Sequence, residues 1–266
     1  MHKEGEQTVV PFRAAGFKYQ PVRGVGWAVF IILIFSWEWG SKTGIISNIA
    51  LPAPTEALAA LVDLVKTGLL WKHLGSSLSR LLGGWILGTT LGVFVGLVIG
   101  LWSIGRSGLL PLVSAIFPVP KIALLPLFVV WFGIGEGSKF ATIAFGTFFP
   151  TVIATIGGVD GVDRNLIRMA QSFGVPYRSI VRHIVIPGAL PAILTGFRIS
   201  TSIAMVLLVA AEMIGAEFGV GAYILMAGAL FAIDQLIAGV FLLSMTGLLV
   251  AWLIGKAEKH WLSWRG

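Results

Sequence analysis

The sequence predicts an all-α, polytopic membrane protein with about six transmembrane helices, and three observations carry that prediction. Apolar residues make up 56% of the chain and charged residues 12%, with a mean hydropathy of +0.92, far from an ordinary soluble domain. Six nearly charge-free runs follow one another at 24–37, 81–105, 107–135, 140–159, 183–211 and 235–255. Most can cross a hydrocarbon core of roughly 30 Å as helices of about 20 residues. The basic residues fall in alternate connections. Lys3, Arg13, Lys18 and Arg23 precede the first run, and Arg106 follows the second. Arg164, Arg168, Arg178 and Arg182 follow the fourth, and Lys256, Lys259 and Arg265 follow the sixth. Positively charged loops near span ends stay on the cytoplasmic side, so both termini are predicted to be cytoplasmic.

The chain then divides into a cytoplasmic N-terminal segment (1–23), a transmembrane domain (24–262) and a short tail (263–266). The net charge of +7 is accounted for by this topology and by anionic membrane lipid, so no nucleic-acid partner is needed. Mostly polar residues precede the first run and no small-residue cleavage site follows it closely, so that run is predicted to stay as an anchor. Cysteine is absent, which excludes disulfides and thiol chemistry.

Taken in order, the first run is short, and Trp37, Glu38 and Trp39 place its far end in the interfacial belt. Leu51-Pro52-Ala53-Pro54 breaks the chain, and Thr55 is predicted to cap an amphipathic helix over about 55–70. Leu58, Leu61, Val62 and Val65 share one face of it, with Asp63 and Lys66 toward water. This helix reads either as a rim where another protein docks or as a membrane-lying spacer. The second run carries Gly84, Gly88, Gly92, Gly96 and Gly100, a strip that another helix can approach closely. Such strips pack helices within a chain or between copies, and bring no side chain to a solute.

The third run holds Lys121 at its centre, directly after Pro118-Val119-Pro120. The two prolines favour a broken helix, which membranes tolerate only where protein or a water-filled cavity satisfies the freed backbone groups. Lys121 reads as a cationic lining of a solute pathway that meets an anion, or as one half of a structural ion pair with Glu212. Arg198 lies partway into the fifth run and Glu212 near its outer end, and neither is expected to face lipid. Arg198 lines the inner half of a pathway or bonds backbone carbonyls at a span interface; Glu212 is a gate or a fold-stabilising partner. Phe218–Ile233 is slightly short for a span and is interrupted by Gly219, Gly221 and Gly228. It is predicted to be a re-entrant or outer-surface hairpin, because a seventh span would put the basic C-terminus outside.

The polar island between the fourth and fifth runs, within 160–187, is a candidate docking loop. Asp163 can cap a short helix from Arg164 to Phe173, Gly174 can end it, and a second short helix through Arg182 can lead to Pro187-Gly188. Two short helices on a membrane surface fit a groove in another protein.

Within this island, the spacing of Ala170, Gly174 and Ile186-Pro187 resembles the EAA loop of ABC importer permeases. Further matches are Leu51-Pro-Ala-Pro-Thr55, Pro118-Val-Pro-Lys121 followed by Trp131-Phe-Gly-Ile-Gly135, Phe148-Phe-Pro150, and Leu194-Thr-Gly-Phe-Arg198 with Ala211-Glu-Met213. Together they resemble the nitrate, sulfonate, taurine and bicarbonate branch across about residues 25–262. The resemblance implies a permease of the bacterial cytoplasmic (inner) membrane, working as two copies with two ABC ATPase subunits inside and a periplasmic or lipid-anchored solute-binding protein outside. It implies ATPase coupling through Arg164, Arg168, Ala170, Phe173, Gly174, Val175, Pro176, Arg178, Ile186 and Pro187. The intramembrane charges and the proline break make Pro118, Pro120, Lys121, Arg198 and Glu212 the candidate translocation pathway. The family usually has Glu at the start of its loop where this chain has Arg168, which moves weight onto shape and onto Gly174.

Enzymatic constellations are largely missing. His2, His73, His183 and His260 are scattered without metal-ligand spacing, so no metal site is expected. Gly133-Ile-Gly135-Glu-Gly137-Ser-Lys139 lacks the residue order of a phosphate-binding loop, so ATP and Mg are expected to bind the partner ATPase and not this chain. Glu136 with Lys139, and Asp160 with Asp163, read as loop charges or helix caps. An integral-membrane enzyme would need convergent acid, base or metal groups, and an ion-coupled transporter would need intramembrane carboxylates, for which Glu212 is the candidate. Among solutes, sulfonates and taurine rank ahead of nitrate, bicarbonate and aromatic acids.

Overall fold

A glycine on every fourth residue of one long helix decides how this bundle packs. The computed structural model describes residues 24–262, so the N-terminal segment with Lys3, Arg13, Lys18 and Arg23, and the tail with Arg265, lie outside the described residues. The elements are α1 (Val25–Lys42), α2 (Pro54–Lys66), α3 (Leu69–Leu101), α4 (Ser103–Ile116), a 3-10 turn (Lys121–Leu124), α5 (Leu125–Phe132) and α6 (Glu136–Asp160). There follow α7 (Arg164–Ser172), α8 (Tyr177–Ile180), a π turn (Val181–Val185), α9 (Ile186–Glu212), α10 (Val220–Ala229) and α11 (Ile233–Trp261). No strand occurs among the described residues. The described residues up to Thr55 and those from Glu56 onward form two separately compact units.

α3 is 33 residues long, about 50 Å by helical rise. Its glycine strip faces α6 step by step. A Cβ added at Gly84 would lie 2.6 Å from Ile143 Cβ, at Gly92 2.8 Å from Thr151 Cβ, at Gly96 2.5 Å from Thr155 Cβ and at Gly100 3.0 Å from Val159 Cβ. At Gly88 it would collide with Thr147 Oγ1 and the Ala144 carbonyl. The order rises together on both helices, so they run parallel, backbone against backbone. Thr147, Thr151 and Thr155 are fully buried in this seam, each hydroxyl donating to the carbonyl four residues back, so the contact carries no orphaned donor. α9 runs antiparallel to α6, with Gly158 against Ala189 and Gly196 against Ala154.

Four described helices are long and apolar enough to cross a membrane: α3, α6, the continuous Tyr177–Glu212 helix and α11. The pair Ser103–Ile116 and Lys121–Phe132 makes a fifth if counted as one, but it bends by 91° at Pro118-Val119-Pro120, so the third predicted run is not a straight span. The first predicted run forms the 18-residue α1, whose last turns hold Glu38 and Lys42. Within the predicted hairpin at 218–233 the structure has a single helix, α10, whose ten residues are too few to span.

Local details differ from expectation in three places. Thr55 does not cap α2: the helix begins one residue earlier, at Pro54, and Glu38 accepts the Thr55 backbone N–H at 3.1 Å and its hydroxyl at 2.8 Å. α2 buries Ala57 and Leu64 and packs Leu61 partly against the Leu64 cluster, so the face read from sequence divides: Leu61 turns to the core, while Leu58, Val62 and Val65 stay exposed. The second short helix does not end at Arg182: α8 continues through the π turn into α9, with Pro187 in the first turn of α9, where its missing N–H costs least.

Candidate functional site

The docking loop sits at one end of the bundle, beyond the C-termini of α3 and α6. Asp163 caps α7, its carboxylate accepting the Asn165 backbone N–H at 2.8 Å. Gly174 ends the helix at φ +68°, the left-handed region where a Cβ is strained. Its N–H reaches the Gln171 carbonyl and the Val175 N–H reaches Ala170, both at 3.0 Å, which is the Schellman pattern. Below this turn Val162, Ala170, Ile180 and Val185 form a buried cluster, and the Tyr177 hydroxyl donates to the Leu101 carbonyl at 3.3 Å. Arg106 pairs with Asp160 at 2.5 Å beside it, so Asp160 is a partner for Arg106 and not a cap.

One side of the loop is thereby anchored, and the other presents large apolar groups. Phe173 is 80% exposed, and Leu166, Met169 and Tyr177 are also exposed. Arg164, Arg168, Arg178, Val175, Pro176 and Ile186 are exposed around them, with Pro187 partly covered. A Cβ at Gly174 would meet nothing within 4 Å. An apolar, basic-rimmed patch on a rigid underlay is what an interface looks like.

At mid-height the bend between α4 and α5 carries Lys121. Its Nζ donates to the Phe117 carbonyl and lies 5.0 Å from the Phe117 ring and 5.4 Å from that of Phe149. Pro118 and Pro120 form the bend itself. No pair with Glu212 is formed. Arg198 does not bond backbone carbonyls either; it pairs with Glu258 of α11 and lines a cavity of about 360 Å³ with Thr201, Ser202 and Ser244.

At the far end lies a charge cluster that the sequence reading missed. Arg80, 4% exposed, holds Glu136 through two bonds of 2.6 Å, and its Nη1 donates to Glu212 at 2.9 Å and to the Phe218 carbonyl at 2.5 Å. Glu212 is fully buried and also accepts from Ser77 Oγ at 2.7 Å and from the Gly221 N–H at 2.8 Å. Ser77 Oγ accepts the Val220 N–H at 2.8 Å, and Nδ1 of His73 lies 3.1 Å from the Gly219 nitrogen. Lys139, buried one turn beyond Glu136, donates to the Gly135 carbonyl at 2.9 Å. Gly219, at φ +149°, admits no side chain because a Cβ would sit 2.5 Å from Glu212 Cδ. The signal was available: His73, Ser77, Arg80 and Gly84 recur at helical spacing, so the polar groups extend the face of the glycine strip.

Among the described residues no group of three His, Asp or Glu side chains could hold a metal. The arrangement offers an anchored patch on the α7–α8 loop, a bent mid-height helix and a closed polar cluster.

Comparison with known proteins bears on this geometry. The family described as binding-protein-dependent transport system inner membrane component matches residues 88–261. The chain is 34% identical over 240 residues to the taurine transport system permease protein TauC of Escherichia coli (strain K12), covering 88% of this chain and 87% of that one. It is 33% identical to a Bacillus subtilis (strain 168) SsuC permease named for aliphatic sulfonates transport, covering 88% and 85%. It is 30% identical to the formylaminopyrimidine transport permease protein ThiX of Halalkalibacterium halodurans, covering 89% and 94%. Among solved structures, an inward-facing conformation of the MetNI methionine ABC transporter superposes with a TM-score of 0.57 at 19% identity, covering 73% of this chain and 95% of that one. At that identity the likeness concerns the fold.

Proposed function

This chain belongs to the binding-protein-dependent transport inner membrane components, and on that premise we propose that it forms the membrane pathway of an ATP-driven importer for a small sulfonate such as taurine. The observation that carries the reading is the docking loop: a capped, Schellman-terminated α7 whose inner side is packed and whose outer side leaves Phe173, Met169 and Leu166 bare. Arg164, Arg168 and Arg178 surround that patch, and a partner ATPase subunit would cover it. ATP and Mg would bind there, in the partner.

In this mechanism the ATPase dimer closes under two copies of the permease, and the α7–α8 loops tilt with it. The π turn passes the tilt into α9 without a break, and the α3–α6 seam carries it as one body. Lys121, at the mid-height bend, and Arg198, beside its cavity, would meet the anionic group of the solute. Both termini would lie in the cytoplasm. The substrate class rests on the TauC and SsuC similarities. An ion-coupled mechanism is disfavoured, because Glu212 is closed in by Arg80 and Ser77.

The test is ATP hydrolysis by the permease reconstituted with its ATPase and an extracytoplasmic binding protein, against taurine, alkanesulfonates, nitrate, bicarbonate and aromatic acids. Stimulation by taurine or an alkanesulfonate is expected. Stimulation by another solute alone rejects the substrate class, and failure of the ATPase to assemble on the permease rejects the docking reading.

A further inference from the structure

The cavity beside Arg198 carries a matched pair of charges, and that pair constrains what can enter. It encloses about 360 Å³ between α9 and α11, within the range of roughly 300–1,000 Å³ usual for small-molecule sites. Arg198, Thr201 and Ser202 line it from one face of α9, and Arg198 is the charged residue among the described residues that line it. Gly247, Ala251 and Ile254 line it from α11, and the next residue on that face is Glu258, whose carboxylate accepts from the Arg198 guanidinium. Lys256 and Lys259 fall off the face, and Lys256 holds its ammonium over the Trp252 ring at 5.1 Å. The charges at the cavity are therefore one guanidinium and one carboxylate.

Two details fix the chemistry of an occupant. The hydroxyls that line the cavity have committed their protons: Thr201 donates to the Phe197 carbonyl at 2.7 Å, Ser202 to that of Arg198 at 3.4 Å and Ser244 to that of Val240 at 2.8 Å. A hydroxyl has one proton, so each has only lone pairs left to offer, and these accept from a cationic donor. The ion pair is also unevenly enclosed, with the Glu258 side chain 20% exposed and that of Arg198 57%. A plain anion that took Arg198 would strand Glu258, the more enclosed partner, without its cation. A zwitterion that takes Arg198 with its anionic end brings Glu258 an ammonium at the other, and no charge is left unpaired.

We propose that this cavity is a station for a zwitterionic solute, an oxo-anion carried a few bonds from an ammonium, which inserts between Arg198 and Glu258 with hydroxyl oxygens available to its ammonium. The inference rests on the importer reading and narrows it: an aminosulfonate is accepted over a sulfonate that lacks the amine. It also makes Glu258, which the mechanism above does not use, a specificity-determining residue of the pathway.

The experiment measures binding of radiolabelled taurine to the complete transporter in phosphatidylglycerol nanodiscs, with no binding protein present, so that the permease alone selects. Taurine is expected to bind, and 2-hydroxyethanesulfonate, in which a hydroxyl replaces the ammonium, to compete at least about tenfold more weakly. That comparison is made on the wild type and needs no variant to fold. Glu258→Gln is expected to erase the difference between the two solutes, and Glu258→Asp to keep it. Equal competition in the wild type, or a preference that survives Glu258→Gln, overturns the proposal. So does loss of taurine binding once phosphatidylethanolamine is added, because its headgroup carries the same two charges and the occupant is then lipid. ATPase stimulation by taurine-loaded binding protein on the same nanodiscs separates the two readings. Stimulation without taurine binding overturns the station and leaves the importer standing; absence of stimulation by any solute-loaded binding protein overturns both.

Discussion

The two ends of the bundle treat charge in opposite ways. At the docking loop Arg164, Arg168 and Arg178 stand exposed around bare apolar side chains. At the other end Arg80 is buried and matched by Glu136 and Glu212, and the buried Lys139 donates to the Gly135 carbonyl. Side chains proposed to meet a partner are left unsatisfied within the chain, and side chains that hold helix ends together are satisfied within it. A buried charge is costly to orphan, whereas an exposed one is nearly neutral to remove.

Substitutions at the two ends should therefore fail in different ways. The largest effect is expected for Arg80→Ala, which leaves Glu212 buried without its cation and costs about 3–5 kcal/mol of stability. Thermal unfolding in detergent would show it, and adding Glu212→Gln should recover more than half, since the orphaned charge is then gone. Equal melting temperatures for wild type and Arg80→Ala would mean the cluster holds nothing. Gly174→Val comes next. A branched side chain at φ +68° costs about 1–2 kcal/mol locally, in open space, so insertion and melting should hold while ATPase coupling drops. Coupling at the wild-type rate would remove Gly174 from the interface. The smallest effect belongs to Asp163→Ala, which loses one cap at about 1 kcal/mol and should speed amide exchange in α7 alone. Exchange spreading into α6 would show that the loop is not an independent unit.

Much of this was readable before any coordinates. The Asp163 cap, the Gly174 stop, the glycine strip and the shortness of the Val220–Ala229 helix all follow from local rules in which each residue acts on its own few neighbours. What escaped depends on residues far apart in the chain. Arg80 sits in what looked like the polar flank of a span, and only the fold brings it to Glu136 and Glu212. The same holds for the partner of Arg198, which is Glu258, and for the face that α2 turns inward. The π turn that joins α8 to α9 ahead of Pro187 also had no signal in the sequence.

The seam between α3 and α6 has a mechanical consequence. Glycines repeat every four residues on one helix and meet a rank of β-branched residues, threonines above all, every four on the other, so the two interlock like a rack and its pawl. No intermediate position is open, because a small slide drives the Thr147, Thr151 and Thr155 side chains out of the glycine notches and into backbone. The next available position is a full tooth away, about 6 Å along the axis. The seam therefore opposes sliding of the two helices over about 24 Å, from Gly84 to Gly100.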